Sequence, residues 1–223
     1  MYNRCSILLI MNDEAYLKIS GPFGPSLGIV NIPEELINKI NNFIDEKIED
    51  KNKKSTLIDH GSKLAGQVTQ EIKLPQEIIE GKLLEFLSTV TKTYIKLSSN
   101  REITKFKLIA SWVVRQFQNE YNPIHFHGGH ISGAGYLKLP DSFGETIQEN
   151  KENVHGNINF MHGTHQFLSD GSLSIKPKVG DFYIFPNYLF HSVNPFMGLG
   201  ERRSISFNAK IDDEIFNVYG KKL

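Results

Sequence analysis

The sequence contains a single cysteine, Cys5, and no excess of charge of either sign. One cysteine excludes an intrachain disulfide and fits a reducing compartment. Basic and acidic residues number 25 each, so the formal net charge of zero gives no overall attraction to nucleic acid or an anionic membrane. The apolar run near the N-terminus is too short for a signal peptide or a membrane span. We therefore expect a cytoplasmic protein that has neither nucleic acid nor membrane as a partner.

The first hundred residues carry two amphipathic patterns. Residues 31–50 and 74–97 each place apolar side chains three or four positions apart, and each pattern begins beside a proline. Both are predicted to be helices, separated by a polar loop over residues 51–70. The apolar run before them, within residues 5–19, is predicted to be a strand.

The residue composition and the apolar pattern of the sequence change after Asn100. Short runs rich in β-branched and aromatic residues follow one another, such as "KFKLIASWVV", "GYLKL", "DFYIFP" and "RRSISFNAKI", and Gly, Pro, Asn or Asp separates most of them. This predicts an α+β fold with helices first and a small β-barrel or jelly roll after them. At 223 residues the chain suits a single domain, with residues 1–100 packing on a β core formed by residues 101–223.

Three of the eight histidines fall within "HFHGGH", residues 125–130. His125 and His127 stand two positions apart, which on a strand is roughly 6.6 Å along one face. Their rings could converge on one metal, with nitrogen–metal bonds of about 2.0–2.1 Å for zinc. His130 follows two glycines and is a less natural ligand than the distant His191. The pair alone is equally consistent with surface or core histidines.

The stretch "ERRSISFNAK" places Arg202 on the same strand face as two serines, while Arg203 falls on the other face. On an inward face a guanidinium would need an anion, and a carboxylate matches its planar fork. For the two arginines alone, exposure on an edge strand is the simpler interpretation.

The order of these features resembles the Fe(II)/2-oxoglutarate-dependent oxygenases, whose core is a double-stranded β-helix. The stretch "GDFYIFPNYLFHSV…ERRSISFN" is most similar to a prolyl-4-hydroxylase-like subgroup found in bacteria and phages. The resemblance covers roughly residues 110–211 and implies a jelly-roll core with N-terminal flanking helices. If the chain is phage-encoded, the expected location is the cytoplasm of the host cell.

The resemblance implies that His125, His127 and His191 bind Fe(II) and form the catalytic centre. His127 stands where the family motif has aspartate or glutamate, so a neutral ligand would leave the iron more positive than the usual two histidines and one carboxylate. The native metal therefore stays open.

The resemblance also assigns the cosubstrate, 2-oxoglutarate. Arg202 and Ser204 match the Arg-x-Ser motif that binds its distal carboxylate, and Tyr136 in "GYLKL" occupies the place of a tyrosine that touches the same group. Tyr136 is equally consistent with a half-buried strand aromatic.

The implied reaction uses 2-oxoglutarate and O2 and hydroxylates a C–H bond. Its substrate would be a peptidyl residue such as proline, or a free amino acid or small metabolite. The polar, glycine-containing residues 141–171 could form a lid or recognition loop, or plain surface. The sequence does not indicate an oligomeric state.

Two alternatives compete with a dioxygenase. A cupin-like metal-binding domain also carries a His-x-His motif and a later histidine, but the cupin glutamate is missing and Arg202 has no role there. A non-catalytic module with a structural zinc is the second alternative. Such sites are closed, four-coordinate and often rich in cysteine, and Cys5 is far from the histidines in sequence.

Overall fold

The computed structural model describes residues 7–12, 15–20, 24–49, 61, 64–167 and 169–217. The strands of this part are β1 Ile7–Asn12, β2 Ala15–Ser20, β3 Leu27–Asn31, β4 Gln70–Lys73, β5 Phe106–Gln116, β6 Asn122–His125, β7 Ile131–Lys138, β8 Ile158–Met161, β9 Ser172–Ile175, β10 Asp181–Pro186, β11 Phe190–Val193 and β12 Arg202–Ile211. Its helices are α1 Glu34–Glu49, α2 Gln76–Ile79, α3 Lys82–Ser99 and α4 Asp213–Phe216.

The strands form two antiparallel sheets. The large sheet has the order β1-β2-β3-β10-β7-β12-β5-β4, and the small sheet has the order β6-β11-β8-β9. Strand β12 lies in the middle of the large sheet, because it pairs with β5 along one edge and with β7 along the other. The predicted combination of N-terminal helices with a following antiparallel β region is confirmed.

Helix α1 forms where the sequence predicts it. Glu34 and Glu35 lie in its first turn, where negative charge interacts favourably with the helix dipole. Its apolar stripe, which includes Leu36, Ile40 and Ile44, is buried in the core on the outer side of the large sheet. The Asn41 side chain also donates a hydrogen bond to a β7 carbonyl at 2.9 Å, so the helix is fixed to the sheet by a polar contact as well.

The second predicted helix is split in two. It breaks between α2 and α3 at Gly81, whose φ of +78° is a conformation that glycine adopts at little cost. After the break, α3 runs to Ser99 and packs the edge of Phe86 against the Phe182 ring in β10, with ring centroids 5.4 Å apart. The apolar periodicity continues across residues 74–97, so it does not reveal the break between the two helices at Gly81.

Two apolar cores lie on opposite sides of the large sheet. Alternate residues of β10 show the division: Phe182 and Ile184 belong to the core beneath the helices, whereas Tyr183 and Phe185 belong to the core between the sheets. This follows from the two-residue period of a strand. The inner core leaves one end of the space between the sheets open for polar side chains.

Several local predictions need correction. The predicted N-terminal strand is two paired strands, β1 and β2, and Cys5 lies outside the described residues. Strand β4 begins at the end of the predicted polar loop, and residues 50–60 and 62–63 of that region are also outside. Among the described residues, no helix is both long enough and apolar enough to cross a membrane.

Candidate active site

Three histidines meet at the end of the small sheet. His125 ends β6, and His191 in β11 is its direct partner in the register, so their ring centroids are 4.3 Å apart. The His127 ring lies 5.1 Å from the first and 4.8 Å from the second. One ligand nitrogen from each ring lies within 4.8 Å of the other two. Small rotations of the rings would bring the three nitrogens to bonding distance of one metal ion.

In each of the three rings, Nδ1 lies at hydrogen-bond distance from an oxygen atom. In His125 and His191 the Nδ1 lies 2.7 Å and 2.9 Å from the backbone carbonyl two residues earlier. In His127 the Nδ1 lies 2.7 Å from the side-chain oxygen of Asn208. Because an oxygen of this kind can only accept, Nδ1 carries the proton and Nε2 is left free to bind a metal.

Burial keeps the cluster neutral. It lowers the pKa of His125, lowers the pKa of His127 to about 4, and holds the pKa of His191 well below its ordinary value. For His191 the neighbouring histidines add to this effect, since two like charges at such distances repel. Neutral imidazoles at neutral pH are what a metal ion requires.

His127 lies just beyond the end of β6 rather than inside a strand. Its position is fixed by Asn187, which precedes β11: the His127 N–H donates to the Asn187 carbonyl at 2.9 Å, and the Asn187 side chain donates to the His127 carbonyl at 3.1 Å. The expected same-face arrangement of the His-x-His pair is present, although a turn contact and not strand pairing holds its second member.

A cavity of about 480 Å³ opens beside the histidines. Its floor is the inner face of the large sheet, where β12 contributes every second residue: Arg202, Ser204, Ser206 and Asn208. The predicted phase of this strand is therefore confirmed. Tyr136 in β7 is the register partner of Ser204 and is fully buried beside it.

Arg202 is almost completely buried, yet its charge has no anionic partner in the described part of the chain. It donates to the Gln116 side-chain oxygen at 3.1 Å, and its guanidinium carbon lies 4.8 Å from the centre of the Tyr136 ring. Its Nε and the Tyr136 hydroxyl are both buried without a hydrogen-bond partner among the described residues. Arg202 lines the cavity, and a guanidinium without an anionic partner would suit a ligand with negatively charged oxygens.

Arg203, the next residue, is equally buried but fully compensated. The expectation that it faces away from the cavity is correct, but it points into the protein beneath α1 and not to solvent. It donates to Glu201 at 2.8 and 3.0 Å and to Asp45 of α1 at 2.6 Å. Glu201 also accepts from Arg115, and the two arginines lower its pKa to about 2 despite burial.

Replacing Arg203 by methionine is expected to lower the free energy of unfolding by about 3 kcal/mol, because Asp45 and Glu201 then lose a buried partner. The measurement is urea denaturation monitored by circular dichroism. Arg101→Met, at an exposed position beyond α3, is the matched control and should stay within about 0.5 kcal/mol of wild type. Equal stability of the two variants would mean that the ion-pair network does not stabilise the fold.

Some site residues were not found from the sequence. Asn208 continues the alternation of Arg202, Ser204 and Ser206, and that signal could have identified it. Gln116 ends an apolar strand and carries no such signal. His130 lies away from the cluster: its Nδ1 accepts from the Ile211 N–H at 3.1 Å, and its ring stacks on Phe216 at 3.8 Å.

The stretch 141–171 is not one loop, because β8 lies within it. Apart from Ile158 of β8, its described residues do not line the cavity. The cavity is lined in part by residues 64–66 and by the β4 side chains Glu71 and Lys73. Part of the cavity lining is thus built by the N-terminal half of the chain.

The geometry agrees with a sequence comparison. Residues 110–208 match a family described as putative 2OG-Fe(II) oxygenases. This segment, less than half of the chain, is similar to that family. The matched segment contains the three histidines, Tyr136, Arg202 and Ser204, whereas the cavity-lining residues 64–66, Glu71 and Lys73 lie outside it. A comparison with curated proteins finds no match.

Solved structures with the same fold include a viral collagen prolyl hydroxylase from Paramecium Bursaria Chlorella virus-1, in complex with 2OG. It is 16% identical, with 82% of this chain and 94% of that chain covered and a TM-score of 0.51. A Trichoplax adhaerens prolyl hydroxylase, in complex with a hypoxia inducible factor peptide fragment, is 11% identical, with 87% of both chains covered and a TM-score of 0.52. HygX from Streptomyces hygroscopicus, with nickel, 2-oxoglutarate and hygromycin B bound, is 9% identical, with 82% of both chains covered and a TM-score of 0.50. At such identities the likeness concerns the fold.

Proposed function

We propose that this protein is an Fe(II)- and 2-oxoglutarate-dependent dioxygenase that hydroxylates a C–H bond of its substrate. His125, His127 and His191 are the proposed iron ligands, and Arg202, Ser204 and Tyr136 the proposed binding site for the distal carboxylate of 2-oxoglutarate. The order β5-β12-β7-β10 opposite β6-β11-β8-β9 supports a double-stranded β-helix as the core of one domain.

The observation that carries the proposal is the contrast between two adjacent buried arginines. Arg203 has two carboxylate partners, whereas Arg202 has none in the described part of the chain. A buried cation without an anion is costly, so Arg202 is poised for an anionic ligand. It opens into the same cavity as three neutral histidines, and 2-oxoglutarate has both a metal-chelating end and a distal carboxylate.

The residues of the chain have distinct tasks in this proposal. The iron, when bound, would supply the chemistry that couples decarboxylation of 2-oxoglutarate to oxidation by O2. The three imidazoles hold the metal through Nε2 and leave further coordination positions open. The Arg202 fork and the Ser204 hydroxyl grip the far end of the cosubstrate and so orient its other end. Ile158, Val193 and Trp112 line the cavity and restrict water.

The substrate is proposed to be a peptidyl residue such as proline, or a free amino acid or small metabolite. The structural neighbours support both classes, since one was solved with a peptide fragment and another with hygromycin B. The part of the lining formed by residues 64–66, Glu71 and Lys73 is proposed to contribute to this choice, because none of these residues is a proposed metal or cosubstrate ligand. Succinate release measured across a library of peptides and amino acids would separate the two classes.

The test of the proposed function is anaerobic addition of Fe(II) and then 2-oxoglutarate to the metal-free protein. The expected result is a visible charge-transfer band that appears only when both are present. A band with iron that does not respond to 2-oxoglutarate would favour the cupin-like alternative. Tight binding of one zinc with no open coordination position would favour the structural module.

A further inference from the structure

His127 differs from the other two histidines in what orients its ring. The acceptors for His125 and His191 are the backbone carbonyls of Pro123 and Leu189, two residues earlier, and a backbone carbonyl is present whatever the residue type. The acceptor for His127 is the side chain of Asn208, on the large sheet. The orientation of this ring therefore depends on the identity of the residue at position 208, which a substitution can test.

Asn208 also contacts the neighbouring strand β7. It lies opposite Ser132 in the register of β12 and β7. Its side-chain oxygen accepts a hydrogen bond from the Ser132 hydroxyl at 2.8 Å and one from His127 Nδ1 at 2.7 Å. Ser132 is fully buried, so this contact is shielded from water.

The orientation of the Asn208 amide decides what His127 presents to the cluster. With the oxygen toward the ring, Nδ1 keeps the proton and Nε2 offers a lone pair. With the amide nitrogen toward the ring, Nδ1 would have to accept, and the proton would move to Nε2. A protonated Nε2 cannot bind a metal.

We infer that Asn208, which also bonds to Ser132, is a positioning residue that holds His127 in the Nδ1–H tautomer with Nε2 directed at the metal. The inference rests on the proposed function, because it concerns the ligand that stands in the place of the family's carboxylate. Partners that orient metal-bound histidines typically contribute about 10–100-fold to metal affinity.

The first test measures the tautomer without any metal. Two-bond ¹H–¹⁵N spectra of the metal-free protein report which ring nitrogen carries the proton, and the His127 signals are those lost in His127→Gln. The wild type should show the Nδ1–H form. Asn208→Leu, which has the same number of side-chain heavy atoms but cannot accept a hydrogen bond, should shift His127 toward the Nε2–H form and leave His125 and His191 unchanged.

The second test measures Co(II) affinity by calorimetry. Asn208→Leu should bind about 10–100-fold more weakly than wild type, and Asn208→Asp, which keeps an acceptor oxygen, should restore the affinity. Asn159→Leu is the matched control: the side-chain amide of this β8 asparagine bonds to Ser192 and Asn194 rather than to a histidine, and the variant should bind Co(II) like wild type.

The outcomes separate the inference from the proposed function. An Nε2–H form of His127 in the wild type, or an Asn208→Leu variant with unchanged tautomer and affinity, would overturn the role of Asn208. Failure of the wild type to bind any divalent metal would overturn the proposed function, while the spectra still report on the Asn208 contact. Equal loss of affinity in Asn208→Leu and Asn208→Asp would show a packing role only.

Discussion

Replacing His191 by alanine is expected to abolish the binding of one divalent metal per chain, and His125→Ala should do the same. Each change removes one of three ligands from a cluster whose ring nitrogens lie within 4.8 Å of one another. The measurement is elemental analysis of protein that has been loaded with Fe(II) or Co(II) under anaerobic conditions and separated from free metal.

Two other histidines serve as controls for this loss. His130 is buried but turned away from the cluster, and His165 is exposed in the loop after β8. His130→Ala and His165→Ala should both keep the metal, with circular dichroism as a check that the His130 variant is folded. Loss of metal from a folded His130 variant, together with retention in His127→Ala, would contradict the assignment of the ligands.

Replacing Arg202 by alanine is expected to raise the dissociation constant of 2-oxoglutarate by two or more orders of magnitude while the metal stays bound. Breaking a buried pair between a guanidinium and a carboxylate costs on the order of 3–5 kcal/mol, and each 1.4 kcal/mol is about a factor of ten. Calorimetric titration of the metal-loaded protein measures the change. Arg202→Lys keeps the charge but loses the planar fork, so an intermediate effect is expected.

The matched control for Arg202 is a second ligand rather than a second variant, because Arg203 is a structural residue whose loss is expected to destabilise the fold. 2-Oxobutanoate has the same metal-chelating end as 2-oxoglutarate but lacks the distal carboxylate. The wild type should prefer 2-oxoglutarate strongly, and Arg202→Ala should bind both acids with similar, weak affinity. A preference that survives in Arg202→Ala would place the distal carboxylate elsewhere in the cavity.

The prediction of the fold succeeded where the signal is local. The stripe of α1 can be recognised from residues three and four apart, and it is buried as expected. The split between α2 and α3 depends on whether Gly81 adopts a positive φ, which its packing environment decides and the periodicity does not reveal. Strand β4 has four residues and is defined by its pairing with β5, a contact about forty residues away in sequence.

The prediction of the site succeeded in its polar alternation. The phase of Arg202 and Ser204 follows from the two-residue period of a strand, and both line the cavity. The burial of Arg203 could not be predicted in the same way, because its partner Asp45 lies 158 residues earlier. An arginine on the opposite face of a strand is exposed or buried according to what packs there.

The sequence by itself determined the chemical groups of this protein: a pair of histidines two residues apart, a third far along the chain, and an arginine in phase with small hydroxyls. These patterns are local and depend only on backbone periodicity. The tertiary structure decided which groups meet. It paired His191 with His125 across two strands, gave Arg203 its carboxylates and left Arg202 without one, and set Asn208 behind His127. Apart from the one between Arg203 and Glu201, these contacts join residues more than sixty positions apart, so only the packing of the fold could establish them.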